Sequence, residues 1–288
     1  MDKNIRFFVV GAIALLWPFF SHAAQFRDTL QINRGAFQTV KKTSFPALAY
    51  NRGTDYQPTN PVFQVRIGDT IHFYLKNNDT AIHGFTIKGG STSVTLPPSG
   101  IDSVTFIPLE EGLFLYFDPI NYPMNRYMGL GGMIVVTNAS AKSFYWNLKE
   151  HEVNFSRDIA QGTAVDWSTY DPDYFTINGL SFPDLQLDTV SNVRAHIGDT
   201  ILICIANTGQ SLHSIHFHGF HCRVRASNAS NILKDWVKDT FPIRSMDALL
   251  LELVPDKVGR YSVHDHNLVA ITGGGTHPNG MFTIMTIQ

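Results

Sequence analysis

Hydrophobic and polar positions in this chain fall into short runs rather than recurring every three or four residues. Ile71-His72-Phe73-Tyr74-Leu75 and Ile201 to Ala206 are compact β-branched and aromatic segments bounded by Asn and Gly, as expected of strands closed by turns. Convincing helical periodicity is absent. Many short strands separated by turn residues predict an all-β protein built from sandwiches or small barrels.

The same strand pattern occurs twice. Ile67-Gly68-Asp69-Thr70-Ile71 returns as Ile197-Gly198-Asp199-Thr200-Ile201, an offset of 130 that also carries His83 onto His213 and Gly89 onto Gly219. Further on, Gly112-Leu113-Phe114 lines up with Gly259-Arg260-Tyr261, and Gly132-Met133 with Gly280-Met281. Such duplication predicts two tandem domains, placed at 25–140 and 141–288. The stretch from Ala141 to Pro172 links the halves and supplies the first strand of the second.

The first residues add a destination. Lys3 and Arg6 precede an apolar run from Phe7 to Phe20, followed by Ser21-His22-Ala23-Ala24. This is the pattern of a cleaved signal peptide, assigned to 1–24, with the mature chain starting near Ala24 or Gln25. The run is short for a spanning helix and contains Pro18. No later stretch is apolar enough to cross a membrane, so the mature form is expected without one, in a periplasmic or secreted setting. Net charge is −2, and no basic block points to nucleic acid or an anionic membrane. Cys204 and Cys222 can form a disulfide in an oxidising compartment or remain two buried thiols.

Seven of the 12 histidines occupy three short segments of the second half: His213-Ser-Ile-His216-Phe-His218-Gly-Phe-His221, His264-Asp265-His266, and His277-Pro-Asn-Gly-Met281. Imidazole is the commonest metal-ligand side chain. Side chains alternate across a strand, so His216 shares a face with His218, and His264 shares one with His266. If the two strands are neighbours, four imidazoles converge as the main metal cluster. His213 and Asp265 point the other way and, with His277 and Met281, make a candidate second site. Met281 reads equally as axial ligand or as packing. His221 lies beyond Gly219, where a bulge can break the alternation. His72, His83 and Met133 read as structural.

These motifs resemble the multicopper oxidases and the copper nitrite reductases. Asp173 to Gly179, His213-x-x-His216-x-His218-Gly219, His264-Asp265-His266 with Gly280-Met281, and Tyr261 to Leu268 carry the resemblance. It implies two cupredoxin-like Greek-key β-barrels, copper rather than zinc, and redox chemistry on a small-molecule or metal-ion substrate. A homotrimer is a common assembly among two-domain relatives. Two departures matter. The blue-copper cysteine is replaced by Asp265, and by Asp118 at the matching place in the first half, and a blue site requires a thiolate. The first half has Thr86, Lys88, Phe117 and Pro119 where the other four cluster histidines would stand. Four imidazoles suit one copper, or two with bridging oxygens, but not three. The expected protein is therefore an exported copper oxidoreductase with a type 2 or dinuclear site, fed by its substrate or an external electron donor. The alternatives are a non-catalytic copper-binding protein and a degenerate scaffold.

Overall fold

The computed structural model of this chain describes residues 23–229 and 234–288. Residues 1–22 of the expected signal segment, 1–24, lie outside the described residues.

The first half holds β1 (Gln25–Gln38), β2 (Ser44–Asn51), β3 (Val62–Val65), β4 (Thr70–Asn77), β5 (His83–Ile87), β6 (Ser93–Leu96), β7 (Ile101–Phe106), β8 (Gly112–Phe117), the short helix α1 (Met124–Met128) and β9 (Gly131–Val136). They form two sheets, ordered β2-β1-β4-β7 and β3-β9-β8-β5-β6. The second half holds β10 (Lys142–His151), α2 (Val153–Ala160), β11 (Tyr174–Ile177), β12 (Arg194–Ala195), β13 (Ile201–Asn207), β14 (His213–Phe217), β15 (Cys222–Ser227), β16 (Val237–Lys238), β17 (Thr240–Ile243), β18 (Ala248–Leu253), β19 (Gly259–Asp265) and β20 (Phe282–Ile287). Its sheets run β11-β10-β13-β18-β15-β16 and β12-β20-β19-β14-β17.

Each half closes its two sheets over its own apolar core. One gathers Leu30, Phe73, Phe85 and Tyr116; the other gathers Trp146, Phe217, Phe241 and Met285. The equivalent strands obey one register rule. β1 runs parallel to β4 with Ile32 opposite Asn77, and β10 runs parallel to β13 with Leu148 opposite Asn207. Asn77 and Asn207 differ by the repeat offset, so Ile32 and Leu148 are structural equivalents. A third apolar cluster fastens the halves together. Leu113, Leu115, Met133 and Val135 from β8 and β9 pack on Leu202, Cys204, Ala206 and Leu250 from β13 and β18. Met133 is thus core, as its sequence setting suggests. Cys204 and Cys222 are both buried and free, which closes the disulfide alternative.

Candidate metal centre

β14 shows the alternation that the cluster depends on. His213, Ile215 and Phe217 are buried, whereas Ser214 and His216 face outward. β19 lies antiparallel beside it with His216 directly opposite His264. Just beyond the ladder, the His218 N–H donates to Ser262 O at 3.0 Å and the His266 N–H to Ser214 O at 2.8 Å. These bonds hold both outer histidines in the same pleat. The ring centroids of His216 lie 4.7 Å from His218, 5.9 Å from His264 and 5.7 Å from His266. His218 and His264 are 5.1 Å apart, and His264 and His266 6.4 Å. Phe282 of β20 stacks on the His264 side at 6.3 Å.

The partners on the rings select tautomers. The Thr240 hydroxyl donates to Asp239 Oδ1 at 3.0 Å, so its oxygen accepts from His216 Nδ1 at 2.8 Å. His264 Nδ1 donates to the Asp265 carbonyl at 2.8 Å. In both rings Nε2 therefore carries the lone pair, the state a metal requires. His264 Nε2 and His218 Nε2 stand 3.0 Å apart. Two imidazole nitrogens sharing one ion at roughly 2.0–2.1 Å, at about a right angle, have that separation. Burial, and then the neighbouring His216, His264 and His266, push the His218 pKa down, which favours the neutral ligand form. The donor set therefore fits a borderline divalent cation such as copper. Among the described residues no three His, Cys, Asp or Glu side chains already form an ion site. Binding would need the exposed His218 and His266 rings to close over His216 and His264.

The second set is not assembled. His213 is fully buried, and both its ring nitrogens are taken: Nδ1 by Asp265 Oδ2 at 2.6 Å and Nε2 by Glu150 Oε2 at 3.0 Å. Asp265 Oδ1 accepts the Ser214 and Asn267 N–H groups, each at 2.9 Å. Met281 packs in the apolar core. His277 is exposed, with Nδ1 3.2 Å from Ile271 O. The set fails because two carboxylates saturate the imidazole and the core claims the thioether. Burial by itself lowers the His213 pKa, but the hydrogen bonds and charges of Asp265 and Glu150 outweigh it and raise the pKa to about 9. Burial raises that of Glu150; His213 and the Gln210 and Ser211 N–H groups reverse this and bring it to about 2. A charged imidazolium held between two carboxylates is an ion-pair clamp across β10, β14 and β19.

Domain 1 has the same clamp from different residues. His83 Nδ1 meets Asp118 Oδ2 at 2.8 Å and Nε2 meets Asp79 Oδ2 at 2.7 Å. Asp118 Oδ1 accepts the Gly84 and Ile120 N–H groups, as Asp265 does in domain 2. The outer carboxylate has changed its source. Counting two residues on from the equivalents Ile32 and Leu148 places Arg34 where Glu150 stands, and the offset places Asp79 where Gly209 stands. Arg34 binds Asp79 with two hydrogen bonds, at 2.8 and 2.7 Å. In domain 2 the carboxylate comes from β10, and Gly209 makes room for it, since a Cβ there would lie 2.0 Å from Glu150 Oε2. Arg126 supplies the compensating positive charge near Glu150. Sequence reading missed Glu150, Asp79 and Thr240. The repeat offset pairs Asp79 with Gly209, a change of charge the sequence does carry; the pairing of Arg34 with Glu150 comes only from the strand register.

Residues 156–277 match the multicopper oxidase family model. A blue copper oxidase from Nitrosomonas europaea superposes with a TM-score of 0.77 at 21% identity, over 91% of this chain and 86% of that one. The multicopper oxidase mgLAC gives 0.76 at 19% identity, over 92% and 87%. A copper nitrite reductase from Nitrosomonas europaea gives 0.72 at 20% identity, over 92% and 94%. At these identities the likeness is one of fold. No curated protein sequence matches the chain significantly.

Proposed function

Because the chain has the two-domain cupredoxin-like fold of multicopper oxidases and copper nitrite reductases, we propose that it is an exported copper-dependent oxidoreductase whose metal is held by His216, His218, His264 and His266. The observation that carries this reading is the gathering of four imidazoles on one sheet face, two of them with Nε2 lone pairs set by partners on Nδ1. Copper there would supply one-electron redox chemistry and Lewis acidity at an open position. The protein's own residues do the rest. Thr240 and the Asp265 carbonyl orient His216 and His264, and the exposed His218 and His266 rings close the set.

Asp265 and Asp118 hold the places of the thiolate, so no blue copper is part of this proposal and electrons arrive from the substrate or an external donor. The cluster lies on an open face rather than in a pocket, which suits a small-molecule or metal-ion substrate, or a covering neighbour in a homotrimer. The same openness, with His218 and His266 exposed, favours as the second reading a non-catalytic copper-binding role in sequestration or delivery.

Copper titration followed by electron paramagnetic resonance tests the site. One equivalent with a type 2 signal and no intense band near roughly 600 nm is expected, because no thiolate is available. Both His216→Ala and His264→Ala should lose that signal while remaining folded. Copper retained equally in those variants refutes the assignment. Turnover with phenols, cuprous or ferrous ions, or nitrite that vanishes in them separates the enzyme from the binding protein.

A further inference from the structure

We infer that the chain is processed between Ala23 and Ala24, and that the α-amine so released is captured by Asp69. Two independent observations select this bond. The sequence Ser21-His22-Ala23 places small residues one and three positions before the cut, as export peptidases require; a cut one residue later would put His22 in the third position. In the fold, the Ala24 N–H donates to Asp69 Oδ1 at 2.8 Å. Ala24 O accepts from Thr70 N at 2.9 Å, so this residue already starts the parallel pairing that continues with Gln25 opposite Thr70.

Asp69 is buried, and its other oxygen accepts the Arg66 N–H at 2.8 Å. The repeat provides an internal control. Asp199 Oδ2 accepts the His196 N–H at 2.8 Å in the same way. Strand register puts Ser140, in mid-chain, at the place equivalent to Ala24, and among the described residues Ser140 makes no bond to Asp199. The extra bond therefore belongs to the domain whose first strand begins at the cut. Hydrolysis adds one water across the Ala23–Ala24 peptide: the carboxylate stays on Ala23 and an ammonium forms on Ala24. An α-amine has a pKa of about 7.7–8.0, so near neutrality most of it is charged. The amide–carboxylate hydrogen bond then becomes an ammonium–carboxylate ion pair, with both partners charged. The cleft around it, lined by Phe26, Arg66, Asn138 and Ser140, leaves the remaining protons open to water.

The test is to export the full chain from a secretion-competent host and determine the mass and first residue of the product. A chain beginning at Ala24 is expected; one beginning at Gln25 overturns the inference. In the Ala24 form, the pH profile of amine labelling should give a pKa above the ordinary value, falling back in Asp69→Asn. Identical profiles in the two overturn the capture. Asparagine can still accept the Arg66 N–H, so the turn survives. Asp69→Asn should lower the Tm by roughly 2 °C or more in the Ala24 form, and by less in a chain that retains Ala23. Equal losses refute the ammonium–carboxylate bond.

Discussion

Replacing His213 by Gln leaves Glu150 and Asp265 facing each other, both fully buried, without the cation between them. Two routes give the cost. The rise in the His213 pKa from 6.5 to about 9 corresponds to about 3 kcal/mol at 1.36 kcal/mol per pH unit. Removing one partner from a buried pair costs about 3–5 kcal/mol. The folded pKa lies above the unfolded one, so the stabilisation is fully present below pH 6.5 and is lost as pH rises through about 9. Lys149, held down to about 7 by burial and then by Arg126, pulls the other way, gaining stability as pH rises. The comparison must therefore be between chains and not along one curve. Denaturant unfolding of wild type and His213→Gln should show a gap of about 3 kcal/mol at pH 6 that narrows toward pH 10. A gap of the same size at both pH values would refute the charged imidazolium.

Three further outcomes follow from the geometry. Gly209→Ala drives a Cβ into the Glu150 carboxylate and should destabilise by about 1–3 kcal/mol, whereas the equivalent position in domain 1 already carries Asp79; thermal unfolding checks it. Thr240→Val removes the acceptor on His216 Nδ1 and should weaken copper binding about 10–100-fold in competitive titration, with little change in Tm. Burial pushes the Cys204 and Cys222 thiols far above their ordinary range, so neither should react with a thiol reagent until the protein is denatured, when both should.

The duplicated strands and the shared sheet face of the four histidines were legible because they depend on local rules. An offset fixes equivalent strands, and alternation fixes which side of β14 and β19 each ring takes. The clamps were not legible, because their partners come from a distance. Glu150 reaches His213 from a strand 63 residues away, within a stretch read mainly as a link between domains. His83, read only as structural, is held by two carboxylates. His213 and Asp265 were placed correctly on the inner face. Strand parity shows where a side chain points but not what it meets there, so the pair was read as metal ligands. The departure from the thiolate pattern at Asp118 and Asp265 held the clue, since both carboxylates do the same job in each barrel.

The apolar seam formed by Leu113, Leu115, Met133 and Val135 against Leu202, Cys204, Ala206 and Leu250 makes the two halves depend on each other. Cutting the gene to the histidine-bearing half would strip a flat wall of aliphatic side chains from β13 and β18, and such exposed walls invite aggregation. Each barrel therefore covers an apolar face of the other, and neither can be removed without uncovering it.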